Sequence, residues 1–218
     1  MSKKITAQLV FRTIYCTLGV VALFSSLGLF DAKFNNNFYV YYTNLSNYIC
    51  LAVMFAELTT TIKHSDKHSE NKEVGRDFMP LLKFVSVIMI MITFLVYNIL
   101  LAKSSSVVDY FTSLYNLSFH VILPLMFIVD WFLFYERGKV KWFYPLCCVI
   151  FPFSYIAFIM IRAAILNWDT NKFLYPYFFL NVSEIGVKGV AIWILILVVV
   201  FVGIGYLIFM IDKLKKNK

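Results

Sequence analysis

Six long apolar stretches restrict the possible folds of this 218-residue chain more than any other feature. Each is about as long as the roughly 20 residues that a helix needs to cross the hydrocarbon core of a bilayer. Lipid offers no hydrogen bonds to backbone N–H and C=O groups, so apolar segments of this length are expected to be helical. The predicted spans are Ala7–Phe30, Phe38–Thr61, Leu81–Ala102, Phe111–Phe134, Trp142–Leu166 and Val187–Ile211.

The composition excludes an ordinary soluble domain, because 61% of the residues are hydrophobic and only 15% are charged. The six spans use most of the chain. We therefore predict an all-α, polytopic membrane protein in which residues 1–218 form a single domain, a six-transmembrane-helix bundle. The first apolar stretch is too long for the core of a signal peptide and lacks a small-residue cleavage site, so it is expected to be the first span.

Basic residues predict the orientation of the spans. Most of the 20 Lys and Arg residues lie at the N-terminus, in the second and fourth connections and in the C-terminal tail. Because positive residues accumulate on the cytoplasmic side, both termini are predicted to be cytoplasmic, which agrees with an even number of spans. The net charge of +8 then reflects basic loops beside anionic lipid and gives no reason to expect a nucleic-acid partner.

The sequence predicts neither a metal site nor a cofactor. The four Cys residues fall within spans without C-x-x-C spacing, as is usual for small apolar side chains. His64 and His68 lie four residues apart in the polar second connection and could bind a metal. A solvated loop with incidental histidines is the better interpretation, because no further ligand group is evident.

Polar side chains inside the predicted spans raise the question of function, because such groups are costly in a membrane and face a cavity or one another. The second span opens with "FYVYYTNLSNYIC", which contains four hydrogen-bonding side chains at its centre. With a rise of about 1.5 Å per residue, several polar residues from different spans fall at one depth, near the external surface. This predicted layer consists of Thr43, Asn47, Asn98, Asn116, His120 and Arg162.

The spacing within this layer suits acyl transfer or ester hydrolysis. Thr43 and Asn47 are four residues apart, as are Asn116 and His120, so each pair is expected to share a helix face. A Thr hydroxyl becomes nucleophilic when a base such as His takes its proton, and a nearby amide can stabilise the oxyanion. The same residue types also hold membrane helices together by hydrogen bonds, and spacing alone favours this structural role over catalysis.

Charges elsewhere in the spans have other expected roles. Asp130 lies ten residues after His120, about 15 Å further inward, and is expected to pair with a base near the cytoplasmic surface: Arg137, Lys139 or Lys141. Glu57 is also placed near the inner boundary. Arg162 either extends its charge to the external surface or binds a carboxylate. The expected interruptions of the fourth and fifth helices are at Pro124 and Pro152.

The stretches "YYTNLSN", "YNLSFHVILP", "PFSYIAF" and "FLYPYFF" occur in the order and spacing of a known family. The chain resembles a bacterial member of the androgen-induced-gene/ADTRP family, six-span proteins whose animal members hydrolyse fatty acid esters of hydroxy fatty acids. The resemblance places the family's Thr at Thr43 and its Asn-x-x-x-His pattern at Asn116 and His120. It implies a location in the bacterial cytoplasmic membrane and a lipid substrate.

These observations lead to a prediction of function. Thr43 is expected to attack a lipid ester, with His120 as base and with Asn47, Asn98 or Asn116 in contact with the oxyanion or substrate. Arg162 is expected to hold a free carboxylate of the substrate. A lipid-binding or transport protein without catalysis, and a lipid acyltransferase using the same pair, are the alternatives.

Overall fold

In the computed structural model, residues 3–30, 34–66, 79–101, 113–166 and 173–214 are described. The predicted all-α fold is confirmed: six helices are long and apolar enough to cross a membrane, and no strand occurs within these ranges. The chain is therefore a multi-pass integral membrane protein. Its helices are α1 (Lys3–Ser26), α2 (Tyr42–Asp66), α3 (Pro80–Leu101), α4 (Leu114–Phe134), α5 (Tyr144–Leu166) and α6 (Val182–Leu214).

Contacts divide the chain into two compact units. The first comprises residues 1–140 with 212–218, and in it α1 and α3 each pack against both α2 and α4. Four helices thus surround one interior, in which Tyr15, Phe127 and Trp131 are fully buried. The second unit comprises residues 141–211, and the prediction of a single domain stays a prediction.

The second unit contains α5 and most of α6. Helix α5 is interrupted at residues 148–149, just before Pro152, which lies in the first turn of the longer piece, where a missing N–H breaks no hydrogen bond. Helix α6 is kinked at Gly186, whose φ of 68° lies in the left-handed region that favours glycine. Large apolar side chains such as Leu195 and Val199 are each 64% exposed, as expected of a surface that faces lipid.

Two helices of the first unit leave the α-helical hydrogen-bond pattern for one turn. Residues Tyr97–Leu101 at the end of α3 form a π-helical turn, and Ser118–Ile122 near the start of α4 form another. Such turns are rare and occur frequently at functional sites. The second turn carries His120, and the first turn of α2 carries Thr43. The two π-helical turns and the start of α2 therefore define the candidate site.

Candidate functional site

Pro124 removes one backbone donor from α4, directly after its π-helical turn. The N–H of Leu123 donates to the carbonyl of Ser118, five residues back, as in a π-helix. The next residue is Pro124, which has no N–H. In the same register it would have served the carbonyl of Phe119, and in the α-helical register that of His120. The carbonyl that loses this donor needs one from outside the helix, because an unpaired carbonyl is costly in a membrane.

Two asparagine side chains from neighbouring helices donate hydrogen bonds to the carbonyls of Phe119 and His120. The Asn47 amide of α2 donates to the carbonyl of Phe119 at 3.1 Å, and the Asn98 amide of α3 donates to that of His120 at 3.2 Å. Asn98 itself lies in the other π-helical turn. The turn that carries His120 is thus held from two sides by side chains that the sequence placed in the same layer.

The His120 ring is enclosed by aromatic side chains and is 4% exposed. The Tyr97 ring stacks parallel to it with centroids 3.2 Å apart, and the Tyr115 ring meets it edge-on at 5.8 Å. Its Nδ1 atom is buried and makes no hydrogen bond to any described residue. An imidazole nitrogen in this state has an orientation set by packing alone, and its lone pair or proton is available to another group.

Thr43 lies in the first turn of α2 and is 6% exposed. Its backbone carbonyl accepts the Ser46 hydroxyl at 3.0 Å and the Asn47 amide at 2.8 Å. The Ser46 hydroxyl is also 2.9 Å from that of Thr93 on α3. The Asn47 amide thus bonds to the backbone of Thr43, while a shared face for the two side chains stays a prediction. Asn47 therefore links the turn that carries Thr43 to the turn that carries His120.

The hydrogen bonds of Asn47 argue against its predicted role as an oxyanion donor. A side-chain amide has two hydrogens, and those of Asn47 serve the carbonyls of Thr43 and Phe119. The amide of Asn98 likewise donates to the carbonyls of Phe94 and His120. Both residues hold backbone in place. Asn116 lies half-buried one turn before His120, on the N-terminal side of the π-helical turn.

Outside the spans, Tyr41 precedes α2 next to this site. Burial raises the pKa of its phenol above the ordinary value of 10.0, so the group remains neutral at physiological pH. It therefore adds no charge at the end of the site where α2 begins.

Arg162 belongs to the second unit. Its Nη1 donates to the backbone carbonyls of Phe173 at 2.8 Å and Leu174 at 3.0 Å. The guanidinium thus anchors the segment that precedes α6, while its predicted contact with a substrate carboxylate stays a prediction.

The most extensive polar contacts of the first unit lie nearer the opposite ends of its helices and join all four of them. Arg12 donates through Nε to Asp130 at 2.8 Å and through Nη1 to Glu57 at 3.0 Å and Thr61 at 2.9 Å. Lys83 donates to Asp130 at 2.7 Å and lies 4.1 Å from the centre of the Phe127 ring. We call Arg12, Glu57, Lys83 and Asp130 the ion cluster; it is buried and carries two positive and two negative charges.

The ion cluster corrects the expected pairing of Asp130. Its partners are Arg12 and Lys83, not the basic residues that follow α4. Of those basic residues, Arg137 stacks over the Trp131 ring at 4.4 Å and donates to the carbonyl of Phe132. Arg12 and Lys83 both lie inside helices and are at most 3% exposed.

The metal site considered at His64 and His68 falls mostly outside the described residues. The described residues contain no cluster of metal-ligating side chains. His68 and the side chain of His64 lie outside the described part of the chain.

In comparisons with known proteins, no family model, curated protein or solved structure matches the chain.

The role assigned to Asn98 predicts a specific rescue. Asn98→Leu removes the donor to the His120 carbonyl and should lower the free energy of unfolding by about 0.6–2 kcal/mol. Pro124→Ala supplies a backbone N–H that can serve that carbonyl in the α-helical register. We therefore expect Asn98→Leu to cost at least about 0.5 kcal/mol less in a Pro124→Ala background. Reversible unfolding in detergent micelles measures all four proteins, and equal costs in both backgrounds contradict the assignment.

Proposed function

We propose that the chain is an intramembrane hydrolase of lipid esters in which Thr43 is the nucleophile and His120 is the base. One observation carries the proposal: the buried Nδ1 of His120 makes no hydrogen bond to a described residue, in a turn that Asn47 ties to the turn of Thr43. The Thr43 hydroxyl is among the groups it does not bond, so the proposed proton transfer requires the two side chains to approach when substrate binds. Hydrogen-bonding side chains in a membrane are expensive, and an unpartnered one is a candidate for chemistry.

In the proposed reaction, the Thr43 oxygen attacks the ester carbonyl carbon while His120 takes the hydroxyl proton. The tetrahedral intermediate breaks its bond to the alcohol, which leaves with the proton from His120. Water, deprotonated by His120, then cleaves the acyl–Thr43 ester, and the proton returns to the Thr43 oxygen. We assign the oxyanion contact to Asn116, because the amides of Asn47 and Asn98 serve backbone carbonyls.

The resemblance to the androgen-induced-gene/ADTRP family supports the same pair of residues. It extends the proposal to fatty acid esters of hydroxy fatty acids as a substrate class and to the bacterial cytoplasmic membrane as the location. No metal or cofactor takes part in the proposed steps.

The acyl–Thr43 intermediate provides the test. Purified protein is incubated with a panel of lipid esters and quenched in acid, and the peptide that contains Thr43 is examined by mass spectrometry. We expect an added acyl mass with the wild type and with Thr43→Ser, which keeps a hydroxyl, but none with Thr43→Ala.

Thr59→Ala is the matched control, because Thr59 is an exposed residue of the same helix whose hydroxyl bonds only locally, to the carbonyl of Phe55. It should retain the acyl mass on Thr43. Products show whether water or a second alcohol accepts the acyl group, which separates a hydrolase from an acyltransferase. A wild type that binds lipid esters but forms neither adduct nor product contradicts the proposal and leaves a lipid-binding protein.

A further inference from the structure

A cavity of about 520 Å³ lies in the first unit beside the candidate site. It is bounded by the end of α1, the residues that follow it and the start of α4. Its size falls within the roughly 300–1,000 Å³ of typical small-molecule sites. The described lining consists of Ser25, Ser26, Gly28, Phe30, Asn35, Ser113, Leu114 and Tyr115.

Tyr115 connects this cavity to the candidate site. It lines the cavity, its ring meets the His120 ring edge-on, and its hydroxyl donates to the Asn44 side chain at 2.6 Å. Asn44 directly follows Thr43 in the first turn of α2. A molecule in the cavity is therefore separated by one side chain from the proposed base.

The polar groups of the lining suit an uncharged ligand with hydroxyl groups. Three serines and an asparagine are present, and the described lining contains no Lys, Arg or His. The Ser26 hydroxyl already bonds to the Leu23 carbonyl and the Tyr48 hydroxyl, and the Asn35 side chain bonds to nearby backbone. Ser25 and Ser113 are therefore the hydroxyls that a ligand can use. The Ser113 hydroxyl accepts the N–H of Asn116 at 3.3 Å, which leaves its own hydrogen to act as a donor. The hydrogen of the Tyr115 hydroxyl is directed to Asn44. A carboxylate or phosphate would need several donors or a cation here, whereas an alcohol both donates and accepts.

The apolar part of the lining indicates that the alcohol belongs to a lipid. Phe30 is 58% exposed and Leu114 is 48% exposed, and both lie where the helices end. They provide an apolar path from the cavity to the bilayer, along which an acyl chain can lie.

We propose that this cavity binds the uncharged, hydroxyl-bearing head group of a lipid. Resting on the proposed function, this keeps the hydrolysis of a lipid ester but replaces the substrate class implied by the family resemblance with an ester of a polyol, whose alcohol part lies in the cavity. It differs from an ester of a hydroxy acid, which carries a free carboxylate.

Binding of ligands that cannot be hydrolysed tests the cavity independently of catalysis. Full-length protein in detergent is titrated with an alkyl glycerol ether, a fatty acid of equal chain length and the corresponding alkyl glycerol phosphate, and native mass spectrometry counts bound lipid. We expect the uncharged ether to bind about tenfold more tightly than either anionic lipid. Free glycerol should bind far more weakly than the ether; equal binding would assign the cavity to a soluble polyol and overturn the lipid proposal.

Ser25→Phe should occupy part of the cavity and weaken binding of the ether by about tenfold. Ser154→Phe is the control, because Ser154 is exposed on α5 in the second unit and bonds only to the carbonyl of Ile150. Unchanged binding by a folded Ser25→Phe variant overturns the proposal. If that variant does not fold, the head-group series on the wild type decides, and equal binding of anionic lipids is the adverse result.

The two proposals can fail separately. Thr43→Ala should bind the ether like the wild type, since Thr43 does not line the cavity. Selective ether binding without ester turnover in the wild type leaves the cavity assigned and removes the hydrolase. Ester turnover without selectivity for the uncharged head group supports the hydrolase and overturns the assignment of the cavity.

Discussion

Asp130→Asn is expected to lower the free energy of unfolding of the first unit by about 3–5 kcal/mol. The carboxylate is fully buried and accepts hydrogen bonds from Arg12 at 2.8 Å and Lys83 at 2.7 Å. Removing its charge leaves Arg12 with Glu57 but leaves the fully buried Lys83 without its carboxylate partner. An unpaired ammonium in a low-dielectric interior is among the most destabilising changes a protein can undergo.

Two further variants show whether the loss of charge balance in the ion cluster causes the expected destabilisation. Glu136→Gln is the control, because Glu136 is 53% exposed and pairs with Lys139 at 3.4 Å, so about 0–1 kcal/mol is expected. Lys83→Met combined with Asp130→Asn restores a neutral cluster and should recover part of the loss. Unfolding titrations in micelles measure each variant. A cost for Asp130→Asn no larger than that for Glu136→Gln shows that the ion cluster does not stabilise the fold.

The number and approximate limits of the helices were predictable, because lipid forces long apolar segments to be helical. The exact first and last residues of the helices were harder to predict. Helix α1 begins at Lys3, ahead of the predicted Ala7, because a helix can continue beyond its apolar part into polar surroundings. The start of α6 at Val182 includes a polar first turn and the kink at Gly186, neither of which belongs to the apolar stretch.

The ion cluster was missed because Asp130 was matched with bases close to it in sequence. Depth is the better guide, since a buried charge needs a partner at its own level in the membrane. Arg12 and Lys83 both lie within apolar segments, as do Glu57 and Asp130. Two charges of each sign inside four spans were the signal for a buried network.

Spacing along one helix predicted contacts within that helix but not contacts between helices. The separation of four residues predicted a shared face for Thr43 and Asn47, and the structure shows the Asn47 amide bonded to the Thr43 backbone carbonyl. The rotation of each helix about its axis is unknown from sequence, so the partners of Asn47 and Asn98 were not predicted. Pro124 did indicate such contacts between helices. A proline in a span deprives a carbonyl one turn earlier of its donor, and a neighbouring helix can supply another.

Replacing His120 by Gln is expected to lower kcat/KM for a lipid ester by about 10²–10⁴-fold, the contribution typical of a general base. The fold should be little affected, because Asn98 bonds the backbone carbonyl of residue 120 and that bond does not depend on the side chain. Loss of stacking on Tyr97 should cost only about 0.5–1.5 kcal/mol. Ester turnover, ether binding and unfolding are measured on the same preparation. A drop in turnover that merely follows the loss of folded protein, or turnover that persists in folded His120→Gln, shows that the imidazole is structural.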